Sequence, residues 1–296
     1  MANGILIIDK PAGWTSMDVC AKLRGLLQTK RVGHAGTLDP MATGVLPVFA
    51  GRATRAVEFA SGSDKEYVAG LRLGLVTDTQ DITGRVLESC RASVDLPRLR
   101  SVLSRFQGDI LQIPPMYSAI KVGGKKLYQL ARKGREVERA PRPITIRSIR
   151  LEGQTPEGDY ILRVRCSKGT YIRTLCHDIG QALGCGGAMS SLRRTEAAGF
   201  TLEQAVPLQD VICSDDPASF LLPVDTCFSG CPALDLSPRE EQIVRTGGRI
   251  TRTGLADGDY RLYGAEGEFL ALAAADAGLL TPRKRFFAPP EQLSEK

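Results

Sequence analysis

No stretch of this sequence approaches the ~20 consecutive apolar residues that a membrane-spanning helix requires. Its longest apolar runs, such as Gly4–Ile8 and Leu270–Ala275, are far shorter. The N-terminus carries no basic cluster ahead of an apolar stretch, and Asp9 and Lys10 interrupt the one run it has. No secretory signal is expected, and the chain is expected to be soluble and cytoplasmic. Histidine is scarce: His34 and His177 are the only two. None of the eight cysteines (20, 90, 166, 176, 185, 213, 227 and 231) forms a Cys-x-x-Cys pair. Neither histidine stands at ligand spacing from a cysteine pair, so no metal is expected and the thiols read as buried and reduced.

What remains is an ordinary globular composition: 43% hydrophobic and 24% charged over 296 residues, enough for two domains. The charge is unevenly placed. Between Lys121 and Arg150 stand ten basic residues, opposed only by Glu136 and Glu138. That segment carries +8 in a chain whose total is +6, leaving the rest at −2. A solvated charged face is the plain interpretation, but such density attracts polyanions because each neutralised phosphate releases condensed counterions. Nucleic acid is the partner implied.

Periodicity gives a coarse map. Gly4–Ile8 reads as a short buried strand ended by the turn residues Lys10–Gly13, and Ser16 as the cap of a helix with Val19, Leu23, Leu26 and Leu27 on one face. Residues 33–44 hold too many glycines and prolines for a helix or a central strand, and Val45–Ala50 resumes as a strand. Tyr67–Leu73 alternates with strand period. Helices are expected around Leu99–Phe106, Leu127–Lys133 and Ile172–Leu183, the last ending near Gly184. Ile144–Leu151 and Tyr160–Cys166 read as a strand pair. Beyond Phe200 the pattern weakens. The last ~70 residues show one short helix (Glu240–Arg245) and strands at Tyr260–Tyr263 and Glu268–Ala273. Strands and helices mix without βαβ alternation, so the class is α+β.

The richest stretch is Gly33-His34-Ala35-Gly36-Thr37-Leu38-Asp39-Pro40-Met41-Ala42-Thr43-Gly44-Val45-Leu46. Glycines let a backbone approach a ligand, and Pro40 keeps Asp39 out of helical geometry. Held so, Asp39 suits a nucleophile or general base; an Asx-turn residue is the competing interpretation. The glycine spacing fits neither the Walker nor the Rossmann pattern, so no nucleotide cofactor is implied.

This stretch resembles the signature that carries the catalytic aspartate in the TruB family of tRNA pseudouridine synthases. The resemblance extends in family order through Lys10–Ser16, Lys65-Glu66-Tyr67, Thr77–Gly84, Pro114–Lys121, Cys166–Leu175, and Leu192–Thr195 with Gly199-Phe200. It covers roughly the first two-thirds of the chain and weakens beyond about residue 225.

The resemblance implies a pseudouridine synthase fold, with a mixed, mostly antiparallel central sheet flanked by helices. The implied catalytic domain is 1–225, with a basic thumb insertion at about 121–142. A small β-rich, PUA-like RNA-binding domain, 226–296, is implied after it. The implied reaction isomerises uridine 55 of the tRNA T loop to pseudouridine without cofactor or metal. Asp39 matches the catalytic aspartate, Arg173 the cation that orients it and lowers its pKa, and Tyr67 the tyrosine that stacks on the base. Tyr171 and Leu192 match the walls of the uracil pocket. His34 matches the residue that fills the space left by the extruded nucleotide, and Lys10 with Pro11 shapes the floor of the site. Lys125, Lys126, Arg132 and Lys133 would grip the T stem-loop, on a segment expected to be poorly ordered without RNA and hinged at Gly123-Gly124 and Gly134. A monomer with no obligatory protein partner is implied. Two alternatives stand beside this: an RNA-guided enzyme of the dyskerin type, and a non-catalytic RNA-binding or tRNA-folding protein.

Overall fold

The computed structural model describes residues 2–288; the end of the expected C-terminal unit, 289–296, lies outside the described residues. The chain starts with β1 (Gly4–Lys10), α1 (Ser16–Leu26), β2 (Val32–His34), β3 (Thr43–Ala50) and α2 (Val57–Ser61). Next come β4 (Lys65–Leu73), β5 (Leu75–Thr77), β6 (Val86–Ser89), α3 (Leu96–Arg105) and β7 (Gly108–Gln112). The basic segment holds β8 (Lys121–Val122), β9 (Lys125–Lys126) and α4 (Leu127–Ala131). Then follow β10 (Arg142–Gln154), β11 (Tyr160–Cys166), α5 (Ile172–Leu183), β12 (Gly187–Ala197), β13 (Phe200–Thr201), β14 (Val206–Pro207) and α6 (Leu208–Cys213).

These strands build one mixed sheet in the order β14-β1-β3-β12-β4-β11-β10-β7, with β2 on β3 and β13 on β12. Only β1–β14 and β3–β12 run parallel, so the sheet is mostly antiparallel. Both faces of β1 are covered, which explains its unbroken apolar run. Leu6 and Ile8 join α1, α3, α5 and α6 in one core, while Ile5 and Ile7 join Phe49, Ala53, Phe200 and Phe228 in another.

A second sheet, β15-β17-β18-β19-β16, comprises β15 (Ala233–Asp235), β16 (Ile250–Thr251), β17 (Gly258–Tyr263), β18 (Phe269–Asp276) and β19 (Leu279–Arg285), with α7 (Pro238–Arg245) alongside. The fold is thus α+β, a large mixed sheet with helices and a β-rich C-terminal part. Phe228 packs against Phe59, Phe269 and Phe286 with ring centroids 5.5–6.0 Å apart, tying the two sheets together. Phe228 and Phe286 are buried, and a ring taken fully out of water contributes about 1.5–3 kcal/mol. Among the described residues no helix is long and apolar enough to cross a membrane.

Several expectations shift. The cap of α1 is Thr15, not Ser16: Thr15 Oγ1 accepts from Asp18 N and the Asp18 carboxylate accepts from Thr15 N, both at 3.0 Å. Ser16 is buried inside the first turn. Gly33-His34 belongs to a short strand paired with Phe49 and Val48, and β3 takes in Thr43 and Gly44. The basic segment is a hairpin and a helical turn, in which Gly123 and Gly124 form the turn at φ +57° and +79°. Leu127 anchors it, wholly buried and donating its N–H to Ile120 O at 2.8 Å. The short α6 and the strand β19 carried too little periodicity to be seen, and Pro282 argues against a strand. Pro282 is accommodated where the β18–β19 register shifts.

Candidate active site

Arg173 is the point on which the separate sequence blocks meet. It opens α5 and is almost fully buried. Its Nε lies 2.9 Å from Asp39 Oδ2, and its Nη2 donates to Asp39 Oδ1 at 3.4 Å. The rest of the fork donates to Thr79 O at 3.2 Å and Tyr117 O at 2.9 Å. Four blocks (33–46, 77–84, 114–121 and 166–175) therefore converge on one guanidinium. Its planar donors suit a carboxylate held from two directions. Asp39 keeps 34% of its side chain exposed against 6% for Arg173, so the carboxylate is the partner that a substrate can reach.

Asp81, within the 77–84 block but given no role by its sequence, stands 3.7 Å from Arg173 Nη1 through Oδ2. It is buried, and its Oδ1 accepts from Thr79 Oγ1, Thr83 N and Thr83 Oγ1 at 2.9, 2.9 and 2.5 Å. These bonds fix the Asp81 carboxyl in place beside the arginine.

Arg173 pulls the Asp39 carboxyl down, as expected of a cation beside it, but does not set the net direction. Instead burial pushes it above the usual range, against the pull of Arg173 and Lys10, with Asp81 adding to the rise. Burial also raises the Tyr67 phenol, against Arg194, so Tyr67 is a neutral hydroxyl on β4 at neutral pH. His34 is driven down by burial and then by Arg194, leaving a neutral imidazole whose Nδ1 is buried with no partner among the described residues.

Lys10 is fully buried at the end of β1, and its ammonium donates to Pro11 O (2.8 Å), Trp14 O (2.6 Å) and Pro40 O (3.3 Å). It spends its donors on the backbone beside Asp39, and burial lowers it to about 8. Tyr171 stands half-buried just before α5. Gln112, which sequence reasoning missed, fixes the backbone of Tyr171 by accepting from its N–H at 2.8 Å and donating to its carbonyl at 3.1 Å. Leu192 is buried on β12, opposite Ala69 of β4. Lys125, Lys126, Arg132 and Lys133 lie apart, on the hairpin and in the turn that follows α4, where Lys126 and Arg132 flank the Tyr128 ring at 5.7 and 5.4 Å. Among the described residues no group of three or more His, Cys, Asp or Glu is placed to hold a metal ion.

An acid oriented by a buried arginine, with a neutral phenol nearby and a loop built for close approach, can act on a bound polar substrate without a cofactor. Solved structures superpose on the chain over nearly its whole length. The crystal structure of a Cbf5-Nop10-Gar1 complex matches with a TM-score of 0.73 at 27% identity, covering 97% of this chain and 85% of that one. An H/ACA RNP bound to a substrate RNA containing 2′-deoxyuridine matches at 0.72 and 25%, covering 97% and 86%.

The model of the TruB family pseudouridylate synthase N-terminal domain matches residues 24–172, and two models of TruB C-terminal domains match 173–229 and 232–285. The chain belongs to the TruB family of pseudouridylate synthases. It is 45% identical to tRNA pseudouridine synthase B of Syntrophomonas wolfei, over 93% of this chain and 94% of that one. With the enzyme of that name from Haemophilus influenzae it shares 40%, over 95% and 94%.

Proposed function

We propose that this protein isomerises uridine 55 in the T loop of tRNA to pseudouridine. The contact between Arg173 and Asp39 carries the reading, because it joins two motif blocks into one oriented, reachable carboxylate. Full-length similarity to enzymes named tRNA pseudouridine synthase B supports tRNA as the substrate.

A base stacked in a folded loop cannot reach Asp39, so the nucleotide is extruded into the cleft while His34 fills the space it leaves in the RNA loop. The ionised Asp39 acts on the ribose: either it displaces N1 at C1′ and is itself displaced when C5 bonds there, or it takes a proton from the sugar and returns it as C5 bonds; both routes need the charged form and the orientation Arg173 gives. The N1–C1′ bond breaks, the base turns while held by Tyr67 stacking and the walls Tyr171 and Leu192, and C5 bonds to C1′. The proton on C5 leaves and N1 gains one, so the product is an isomer. A phenol that stays protonated in its buried setting can both stack and pass that proton. Lys10 holds the floor through the Pro40 carbonyl.

Lys125, Lys126, Arg132 and Lys133 grip the phosphates of the T arm. Residues 1–225 act as the catalytic domain and 226–296 as a small RNA-binding domain, and the protein works in the cytoplasm as a monomer without a protein partner. The test is purified protein alone with an unmodified T-arm stem-loop, followed by mapping of pseudouridine. Formation at position 55 supports the reading. Modification only in the presence of a guide RNA and partner proteins, or binding without modification, overturns it.

A further inference from the structure

Arg194 is wholly buried, and among the described residues its guanidinium makes no ion pair. Three main-chain carbonyls accept from it: Nε donates to Val45 O at 2.7 Å, Nη2 to Gly36 O at 3.1 Å and Nη1 to Thr37 O at 3.4 Å, and the fork also stands beside the Tyr67 hydroxyl. Those carbonyls lie on both sides of Asp39, two upstream and one downstream, so one planar fork draws together the two ends of the loop that carries it.

The main chain of Arg194 is tied to the same parts. It pairs in parallel with Gly44 of β3 and antiparallel with Tyr67 of β4. At Gly44, where φ is +100°, a Cβ would stand 2.1 Å from Arg194 O, so the two backbones meet too closely for any side chain. The Arg194 charge is also felt by Tyr67 and His34.

A buried cation without a carboxylate is a costly way to fill a core, and an apolar chain of similar length would fill it better. What an apolar chain cannot do is hold three divergent carbonyls in one plane. We propose that Arg194 is a positioning residue of this site. Its guanidinium closes the 36–45 loop into one geometry and so sets where Asp39 stands relative to Tyr67, without touching substrate. The inference rests on the catalytic reading above and adds a residue to it.

The test uses full-length Arg194→Met and Arg194→Lys, a T-arm stem-loop labelled with tritium at uridine C5, single-turnover kinetics, RNA binding and thermal melts. Both variants are expected to bind RNA within about 3-fold of the unsubstituted protein. Their rate at saturating RNA falls about 100-fold, the size of effect that an ångström of misplacement produces. Lysine keeps the charge but offers a single ammonium in place of the fork, so it does not restore the rate.

Turnover near the unsubstituted rate in either variant overturns the proposal, as does a rate loss matched by an equal loss of RNA affinity. Failure of both variants to fold overturns it too, since Arg194 would then serve the core. If the unsubstituted protein itself releases no tritium, the catalytic reading falls and this inference with it. Active unsubstituted protein beside active variants removes only the inference.

Discussion

Ser16 and Leu38 are joined by two hydrogen bonds: Ser16 Oγ accepts from Leu38 N at 2.8 Å and donates to Leu38 O at 3.2 Å. The first turn of α1 thereby fixes the backbone next to Asp39. The serine cannot cap its helix because its hydroxyl is already engaged by the loop. Replacing Ser16 with Ala leaves a buried N–H and carbonyl without partners, at about 1–3 kcal/mol. A denaturant melt should show that loss, and pseudouridine formation should fall while RNA affinity holds. Unchanged stability and rate would remove Ser16 from the scaffold of the loop.

Asp39→Asn should abolish tritium release and retain RNA binding, since the amide keeps the shape and loses the charge. Retained turnover would exclude Asp39 as the reacting group.

The pH dependence follows from the raised carboxyl of Asp39. The ionised form is the active one, so the single-turnover rate should rise with pH through a midpoint above the free-aspartate range. Stability moves the other way. A carboxyl whose pKa is higher folded than unfolded favours the fold at low pH, and that contribution is lost as pH rises through the folded value. The melting temperature of Asp39→Asn relative to the unsubstituted protein should therefore climb between acid and neutral pH. A relative melting temperature that falls over that range would show that Arg173, not burial, sets the carboxyl.

Replacing Lys125, Lys126, Arg132 and Lys133 with Ala should weaken RNA binding and flatten its salt dependence. The slope of log affinity against log salt should drop by up to about 0.9 for each phosphate contact removed. The rate at saturating RNA should stay unchanged, because none of the four contacts Asp39. An unaltered slope would place the RNA elsewhere.

Gly44→Ala combines a left-handed backbone with a clash against Arg194 O. Strain of this kind costs about 1–3 kcal/mol before the clash is counted. Loss of soluble protein, or a large drop in melting temperature, is the expected result. A fully stable variant would mean that β3 and β12 separate easily.

Elements with a local cause were legible in the sequence. The buried run of β1 was visible, as were the amphipathic α3 and the β10–β11 pair. Gly184 ends α5 at φ +77° as anticipated. Others were not: α6 spans less than two turns, β16 is two residues long, and β16 and β19 owe their place to pairing partners rather than pattern. The neighbours of Asp39 divide the same way. Its loop announces itself through contiguous glycines and Pro40, whereas Gln112 and Ser16 look like ordinary polar residues until their partners, 59 and 22 positions away, are in place.

The sequence by itself determined which chemistry is present. It supplied a carboxylate on a glycine-rich loop, a tyrosine on an alternating strand, and a dense basic segment in an otherwise near-neutral chain. Those properties are written in adjacent residues. Only the tertiary structure decided that Arg173 reaches across 134 positions to Asp39, that Asp81 stands on its other side, and that Arg194 binds the loop from beneath. It also decided the sign of the Asp39 shift. Charge can be counted along a chain, but its effect depends on distance and on the water excluded around it, and both are set only when the strands pair.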